Sequence, residues 1–529
     1  MGEKRGQGIP ACLPGLHQLA WVVMPRWSSA PLGAALGPAK PSLFVDAVES
    51  ITRGWHYVAA ALTIFIAAVA SGHAVLNKRD SRAAVLWIGV IWLMPGVGAI
   101  LYLLLGVNRI YRKASTLRGR IGRFDSGATA GADAADLTCG CFSGDLSAYD
   151  SLAALIGRVV AKPLLRGNRV EILRDGDEAF PVMLKAIAEA RTSISLATYI
   201  FDNDALGRRF AEALHEARAR GVEVRVLIDA AGARYSFPSI FWRLRRLKVR
   251  AAKFMPTVIP SRIMAVNLRN HRKLMIVDGR IGFTGGMNLR QGNILKESPA
   301  HPVQDVHFRM EGPIVAHLQE TFVDDWCFST LETLRGEVWF PPLESKGTVI
   351  ARGIADGPDE DHDKLQWTIL GALDCARRSV RIVTPYFLPD QSMISALNLA
   401  AMRGIEVDII LPAQSNLRVV QWASTALLWQ VLEHGCRSWL TPPPFDHSKI
   451  MLVDGCWSFI GSSNWDARSL RLNFEFNVEC YDCELAASLD RLVRDKLTVA
   501  RQLSLEEVDR RSLPVKLRDN GARLFTPYL

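Results

Sequence analysis

Several kinds of feature are scarce in this sequence, and each scarcity narrows what the chain can be. Its nine cysteines are an odd, scattered set. Cys480 and Cys483 form a single C-x-x-C with no second pair, which excludes a zinc site. Reduced thiols in a reducing compartment are therefore expected, with Cys456 as a packing residue. Acidic residues are short against basic ones, 53 to 63, for a formal charge of +10. That balance calls for an anionic partner, nucleic acid or a phospholipid surface, and composition does not choose between them. A signal-peptide core is lacking too, because Pro14 and His17-Gln18 interrupt the apolar run from Ala11 to Met24. Residues 1–50 carry scattered Pro, Gly and Ala without a sustained apolar period, and are expected to be disordered.

Charge is also missing from two long stretches, Trp55 to Leu76 and Ala83 to Leu105. Each is long enough to span a hydrocarbon layer of about 30 Å. The connection Asn77 to Arg82 permits only a helical hairpin, so residues 51–108 are expected to cross a membrane twice, with Pro95-Gly96 kinking the second span. Eight basic residues flank the hairpin (Lys40, Arg53, Arg109, Arg112, Lys113, Arg118, Arg120 and Arg123) against three in its loop. The positive-inside rule then puts the bulk of the protein in the cytoplasm. Gly, Ala, Asp and Ser dominate the next stretch, and residues 109–165 are expected to be a linker.

What the sequence does contain is a duplication. His271, Lys273 and Asp278 stand in the spacing H-x-K-x(4)-D, followed by Gly285 and Asn288; His447, Lys449, Asp454, Gly461 and Asn464 repeat it. In each copy a short apolar run, Leu274 to Val277 or Ile450 to Val453, is stopped by Asp-Gly, a turn signal. Strand alternation sends His271 and Lys273 to one face and Arg272 to the other. Ser193 to Phe201 parallels Ser379 to Phe387, and Arg220-Gly-Val-Glu-Val parallels Arg403-Gly-Ile-Glu-Val. The offset shrinks along the chain, so the first copy carries about ten extra residues, mostly between Ala230 and Asn267. Each copy alternates strand and helix: strand 193–201, helix 205–220, strand 222–229, further helix, then the motif strands. This predicts an α/β sandwich with one sheet per repeat, residues 166–340 and 341–529, related by a pseudo-twofold axis that brings both motifs into one cleft.

The duplicated motif resembles the signature of the phospholipase D superfamily. The wider set is similar to bacterial cardiolipin synthases: Tyr199-Ile-Phe201, Asn270-His-Arg-Lys273, Arg309-Met-Glu-Gly-Pro313, Thr384-Pro-Tyr-Phe387, Gly461 to Leu470, Asn473-Phe-Glu475 and the amino-terminal hairpin. The resemblance covers roughly residues 55 to 529. It departs at Gly286, where the family usually has Ser, whereas Ser462 is retained in the second copy.

The chemistry follows from the residue types. A phosphodiester resists attack because its oxygens are anionic and its leaving alkoxide is poor. Lys273 and Lys449 can neutralise the oxygens, and Asn288, Asn464 and Ser462 can hydrogen-bond them, without a cofactor or metal. One histidine can attack phosphorus while the other protonates the leaving oxygen. The resemblance implies His271 as nucleophile and His447 as acid and base. Asp305 and Glu475 are expected to bond the imidazoles and fix their tautomers. Asp278 and Asp454, counted with the catalytic set, are equally open to a turn-fixing reading.

The resemblance further implies a bacterial inner-membrane, multi-pass phosphatidyltransferase acting on phosphatidylglycerol and anionic lipids, with no nucleic-acid partner. A phospholipase D using water, a superfamily nuclease and an inactive membrane scaffold are the rival readings. The basic run Arg243 to Arg250 is a candidate for headgroup contact. The aromatics of Phe237 to Trp242 and of Trp422 to Trp429 are expected in the core.

Overall fold

The structure, a computed structural model, describes residues 43–78, 81–106, 144–255, 268–357 and 363–526. The expected disordered segment through residue 42 and most of the expected linker lie outside these residues. The chain divides into two compact units, up to Gly106 and from Val107 onward.

In the first unit, a helix runs from Leu43 to Asn77, so it begins within the stretch expected to be disordered. Its part from Gly54 to Asn77 is the only described helix long and apolar enough to cross a membrane. The second apolar stretch is not one continuous helix. It forms Ser81–Leu93, breaks at Pro95-Gly96, and resumes as Val97–Leu101 and a π-turn over Tyr102–Gly106. Pro95 lacks the amide that would continue the ladder, and Gly96 adopts φ 80°, which only glycine enters freely.

The second unit is built on two seven-strand series with the same order. In the first repeat the neighbours run Leu165–Arg174, Val306–Glu311, Ile281–Gly285, Leu274–Val277, Ser193–Thr198, Glu223–Asp229 and Arg250–Phe254. In the second they run Val349–Asp356, Asn473–Tyr481, Trp457–Gly461, Ile450–Val453, Ser379–Val383, Glu406–Pro412 and Arg437–Thr441, with Arg501–Leu503 added at the edge. The expectation of one separate sheet per repeat is corrected here. Leu165–Arg174 pairs antiparallel with Val349–Asp356, and the two series, the added edge strand and the short strand Arg269–Asn270, which pairs with Asn473–Tyr481, make one 16-stranded sheet about that junction.

Alternation along each motif strand feeds two cores. Leu274 and Ile276, with Ile450 and Leu452, point into a central layer shared by both repeats, where helices Ile314–Thr330 and Cys483–Val499 lie. Met275 and Val277 face the outer helices of the first repeat, and Met451 and Val453 those of the second.

Two further expectations are revised. The carboxy-terminal part of the expected linker is structured: helix Asp150–Val160 buries Leu152, Ala153, Ile156 and Val160 against the second repeat, and Tyr149 Oη donates to Val453 O at 2.9 Å. The amphipathic spacing there was masked by the surrounding small polar residues. Cys456 and Cys483 form a disulfide, so neither is a reduced thiol. The fold brings together the turn after one motif strand and the start of a distant helix, a contact that sequence spacing does not reveal.

The Asp-Gly pairs close their hairpins with both residues at positive φ: 53° and 62° at Asp278 and Gly279, 51° and 71° at Asp454 and Gly455. The Asp278 carboxylate accepts from the amides of Arg191, Thr192 and Ser193 at 2.7–3.1 Å. Asp454 accepts from Arg377, Arg378 and Ser379 at 2.7–2.8 Å. Each carboxylate thus caps the start of the neighbouring strand, at the end of its own strand remote from the histidine, roughly 13 Å along four residues. These contacts support the turn-fixing reading of the two aspartates. Asp454→Ala should cost about 1–3 kcal/mol of stability by unpairing these amides. A denaturant melt should show that loss while kcat per folded molecule stays unchanged; loss of kcat without loss of stability would return Asp454 to the chemistry.

Candidate active site

Two short parallel ladders deliver the histidines. Arg269–Asn270 pairs with Asn473–Phe474, and Phe445–Asp446 pairs with Val303–Gln304. The His271 amide then donates to Phe474 O at 2.9 Å and the His447 amide to Gln304 O at 2.8 Å. Each motif histidine is therefore pinned by the other repeat.

The side chains repeat that exchange. His271 Nδ1 lies 3.0 Å from Glu475 Oε1, and His447 Nδ1 lies 2.8 Å from Asp305 Oδ2. An Nδ1–H donated to a carboxylate leaves Nε2 as the reactive nitrogen of both rings. The rings meet edge to face with centroids 6.5 Å apart and planes at 81°. Lys273 Nζ donates to His271 O at 2.5 Å, and Lys449 Nζ donates to His447 O.

The supporting contacts differ between halves. Ser462 Oγ donates to Glu475 Oε2 at 2.5 Å, so the proton of this hydroxyl is given to the carboxylate. At the equivalent Gly286, an added Cβ would stand 2.3 Å from Asp305 Oδ1. The shorter Asp305 thus occupies the space that a serine would need. Gly285 and Gly461 are required by close approach, since a Cβ would meet His307 Nδ1 at 2.7 Å and Asn477 Oδ1 at 2.4 Å. Asn288 Oδ1 accepts the Ile200 amide at 3.1 Å, which reserves its NH₂ as a donor, and Asn464 is likewise buried.

Sequence reasoning missed the clamps beneath the motif. Arg272, on the face opposite His271, pairs with Asp325 Oδ1 at 2.5 Å, and Asn270 Nδ2 donates to Asp325 Oδ2 at 2.9 Å. In the second repeat the polarity inverts: Lys496 Nζ donates to Asp446 Oδ2 at 2.6 Å. Both partners lie on the central helices, and alternation announced only that Arg272 lies on the face opposite His271. Tyr199 packs edge-on to His271 at 5.3 Å, while Tyr386 and Phe445 flank His447 at 6.4 and 5.9 Å.

Burial governs the titration. It lowers both imidazoles below the ordinary 6.5, with the motif lysines adding to the effect, which favours the neutral form of both rings. It also lowers Lys273 to about 7 and Lys449 to about 8. Burial pushes Asp305 up to about 6. It pushes Glu475 upward too, but the His271, Lys273 and Ser462 contacts outweigh it and the carboxyl ends below its usual value. Among the described residues no group of three or more His, Cys, Asp or Glu side chains is placed to hold a metal.

A pH profile follows. kcat/KM reports the free enzyme, and the lysines there hold their charge only below about 7 and about 8. Capture of an anionic phosphodiester should weaken as pH rises through that window, giving kcat/KM an alkaline limb near pH 7–8. A profile flat to the ordinary lysine range near 10.5 would contradict these assignments.

Comparison with known proteins places this geometry. The family described as cardiolipin synthase, PLD-like domain, matches residues 183–326 and 369–496, one match in each repeat. The phospholipase D-nuclease N-terminal family matches residues 61–106. Cardiolipin synthase A of Pseudomonas fluorescens is 32% identical over 468 residues, covering 88% of this chain and 96% of its own. Cardiolipin synthase A of Pseudomonas aeruginosa is 34% identical over 471 residues, covering 88% and 94%. The major cardiolipin synthase of Bacillus subtilis is 30% identical, covering 86% and 95%. The crystal structure of phosphatidylserine synthase from Haemophilus influenzae superposes with a TM-score of 0.57 at 15% identity, covering 72% of this chain and all of that one, and shares the fold.

Proposed function

Because the chain belongs to the cardiolipin synthase family of phospholipase D-like enzymes, we propose that it transfers a phosphatidyl group between two phosphatidylglycerol molecules, yielding cardiolipin and free glycerol. The observation that carries this reading is the reciprocal pairing of His271 with Glu475 and His447 with Asp305, at neighbouring rings whose own carbonyls each hold a motif lysine. The site holds two complementary nitrogen functions and fixed positive charge for one phosphate.

His271 Nε2 attacks phosphorus of the donor lipid, forming an N–P bond as the P–O bond to glycerol breaks. His447, protonated once the anionic substrate offsets the lysine charges, gives its Nε2 proton to the departing glycerol oxygen. Lys273, Lys449, Asn288 and Asn464 hold the non-bridging oxygens through the transition state. Neutral His447 then takes a proton from a hydroxyl of the second phosphatidylglycerol, whose oxygen attacks phosphorus and releases His271. Glu475 stabilises the cationic phospho-imidazole, and Asp305 orients His447. Both are positioning residues.

The amino-terminal unit serves as a two-pass membrane hairpin in this reading. Trp92 Nε1 donates to Ser71 Oγ at 3.1 Å and His73 Nδ1 meets Tyr102 Oη at 2.8 Å, which supports two apolar segments lying side by side. The basic flanks favour a cytoplasmic catalytic unit on the bacterial inner membrane. The Cys456–Cys483 disulfide is the observation that favours the opposite, oxidising face.

The test is turnover by the purified full chain in phosphatidylglycerol mixed micelles, following cardiolipin, glycerol and phosphatidic acid together. Equal cardiolipin and glycerol are expected, both lost in His271→Ala and His447→Ala. Phosphatidic acid with glycerol and no cardiolipin would make water the acceptor, and cleavage of DNA but not lipid would make the chain a nuclease.

A further inference from the structure

The aromatics expected in the core around Phe237 are not there. Phe237 is fully exposed at 101% and Trp242 is 56% exposed, close beside the cleft. The geometry points to a surface that inserts into an anionic phospholipid bilayer around the mouth of the active site, formed by one loop from each repeat.

The two loops occupy equivalent places. One follows strand Glu223–Asp229 and the other follows strand Glu406–Pro412, the same strand in the two series. Each is tied to its own histidine through a tyrosine. Tyr235 packs on Tyr199 at 6.1 Å, and Tyr199 packs on His271 at 5.3 Å. Asn416 accepts from Tyr386 Oη at 2.7 Å, and Tyr386 packs on His447 at 6.4 Å. Phe237 stands two residues beyond Tyr235, and Leu417, 50% exposed, directly follows Asn416. Apolar side chains thus project from both lips of the cleft.

Short-helix geometry explains why they point outward. In Ile240–Arg246, Ile240 and Leu244 are buried one turn apart, which turns Trp242, Arg245 and Arg246 to solvent. Arg245 stacks over the Trp242 ring at 5.8 Å. Exposed tryptophan and tyrosine beside arginine suit the headgroup region, where the ring enters the acyl boundary and the cation meets phosphate. Charge selects the occupant. Ala231 to Arg250 carries six basic residues and no acidic one; Arg243 pairs with Glu212 and Arg250 with Glu332, so the rim's charge beside Trp242 is that of Arg245, and Ala413 to Leu432 carries one arginine and no acid. A protein partner of mixed charge would not need this, whereas an anionic lipid surface would. The rim also fits the substrate problem, since a lipid can rise into the cleft with its tails still in the bilayer.

The inference rests on a phospholipid substrate, though not on which alcohol accepts the phosphatidyl group. The test compares the full-length Phe237→Ser/Trp242→Ser/Leu417→Ser variant with the parent on two substrates: phosphatidylglycerol in bilayer vesicles, and a short-chain phosphatidylglycerol kept monomeric. The bilayer-to-monomer activity ratio should fall about tenfold or more, because only the bilayer substrate uses the rim. An unchanged ratio, whether both activities fall or neither does, overturns the proposal. Failure of the parent on both lipid forms would instead count against the phospholipid reading, so the two failures are separable. A polarity-sensitive fluorophore on Phe237→Cys gives a readout independent of turnover. Its emission should shift to the blue in phosphatidylglycerol vesicles and be quenched by lipid-borne quenchers. Water-like emission there, or a blue shift in detergent that tracks dimer formation instead, would overturn it.

Discussion

The structure depends on a reciprocal hydrogen bond: each repeat supplies the carboxylate for the other repeat's histidine. His271 with Glu475 and His447 with Asp305 are buried pairs, and an imidazole stripped of its carboxylate there would lose both tautomer and orientation. Neither half is complete alone. The junction of Leu165–Arg174 with Val349–Asp356 and the two short cross-repeat ladders are the means by which the fold holds both pairs in one cleft. A long sheet, central helices shared by both halves and strand ends fixed by Asp278 and Asp454 all serve that alignment.

The halves are alike in backbone and unlike in charge. Asp305 faces Gly286, and Glu475 faces Ser462, so one carboxylate is shorter and lacks the hydroxyl donor that the other receives. Burial therefore wins at Asp305, which rises to about 6, while partners win at Glu475, which falls below its usual value. A nucleophilic histidine becomes cationic when phosphorylated and is best matched by the carboxylate that stays ionised. That matching supports His271 as nucleophile and leaves His447 to carry the proton. The clamps under the motifs diverge in the same way, Arg272 with Asp325 in one half and Asp446 with Lys496 in the other.

Much of this was legible in the sequence because duplication exposes what a single copy hides. The spacing of His271, Lys273 and Gly285 against His447, Lys449 and Gly461 singled out side chains that the fold gathers at the candidate site, and period-two alternation placed Arg272 on the opposite face. Local patterns could not assign partners across repeats: no spacing says that Asp305 belongs to His447 rather than His271. They also do not reveal contacts that packing sets. Asp278 reads as part of a catalytic motif but is consumed by three backbone amides. Ser462 is consumed by Glu475, Cys456 finds Cys483 27 residues away, and Phe237 is apolar yet exposed. In each case the deciding contact is made by chain distant in sequence.

The most direct test of the central claim is rapid acid-free quenching of the enzyme with phosphatidylglycerol, followed by mass spectrometry of its histidine peptides. A shared two-histidine site predicts a phosphatidyl adduct on His271 alone, absent in His271→Ala. Turnover with no adduct on either histidine, or an adduct on any other residue, would contradict it.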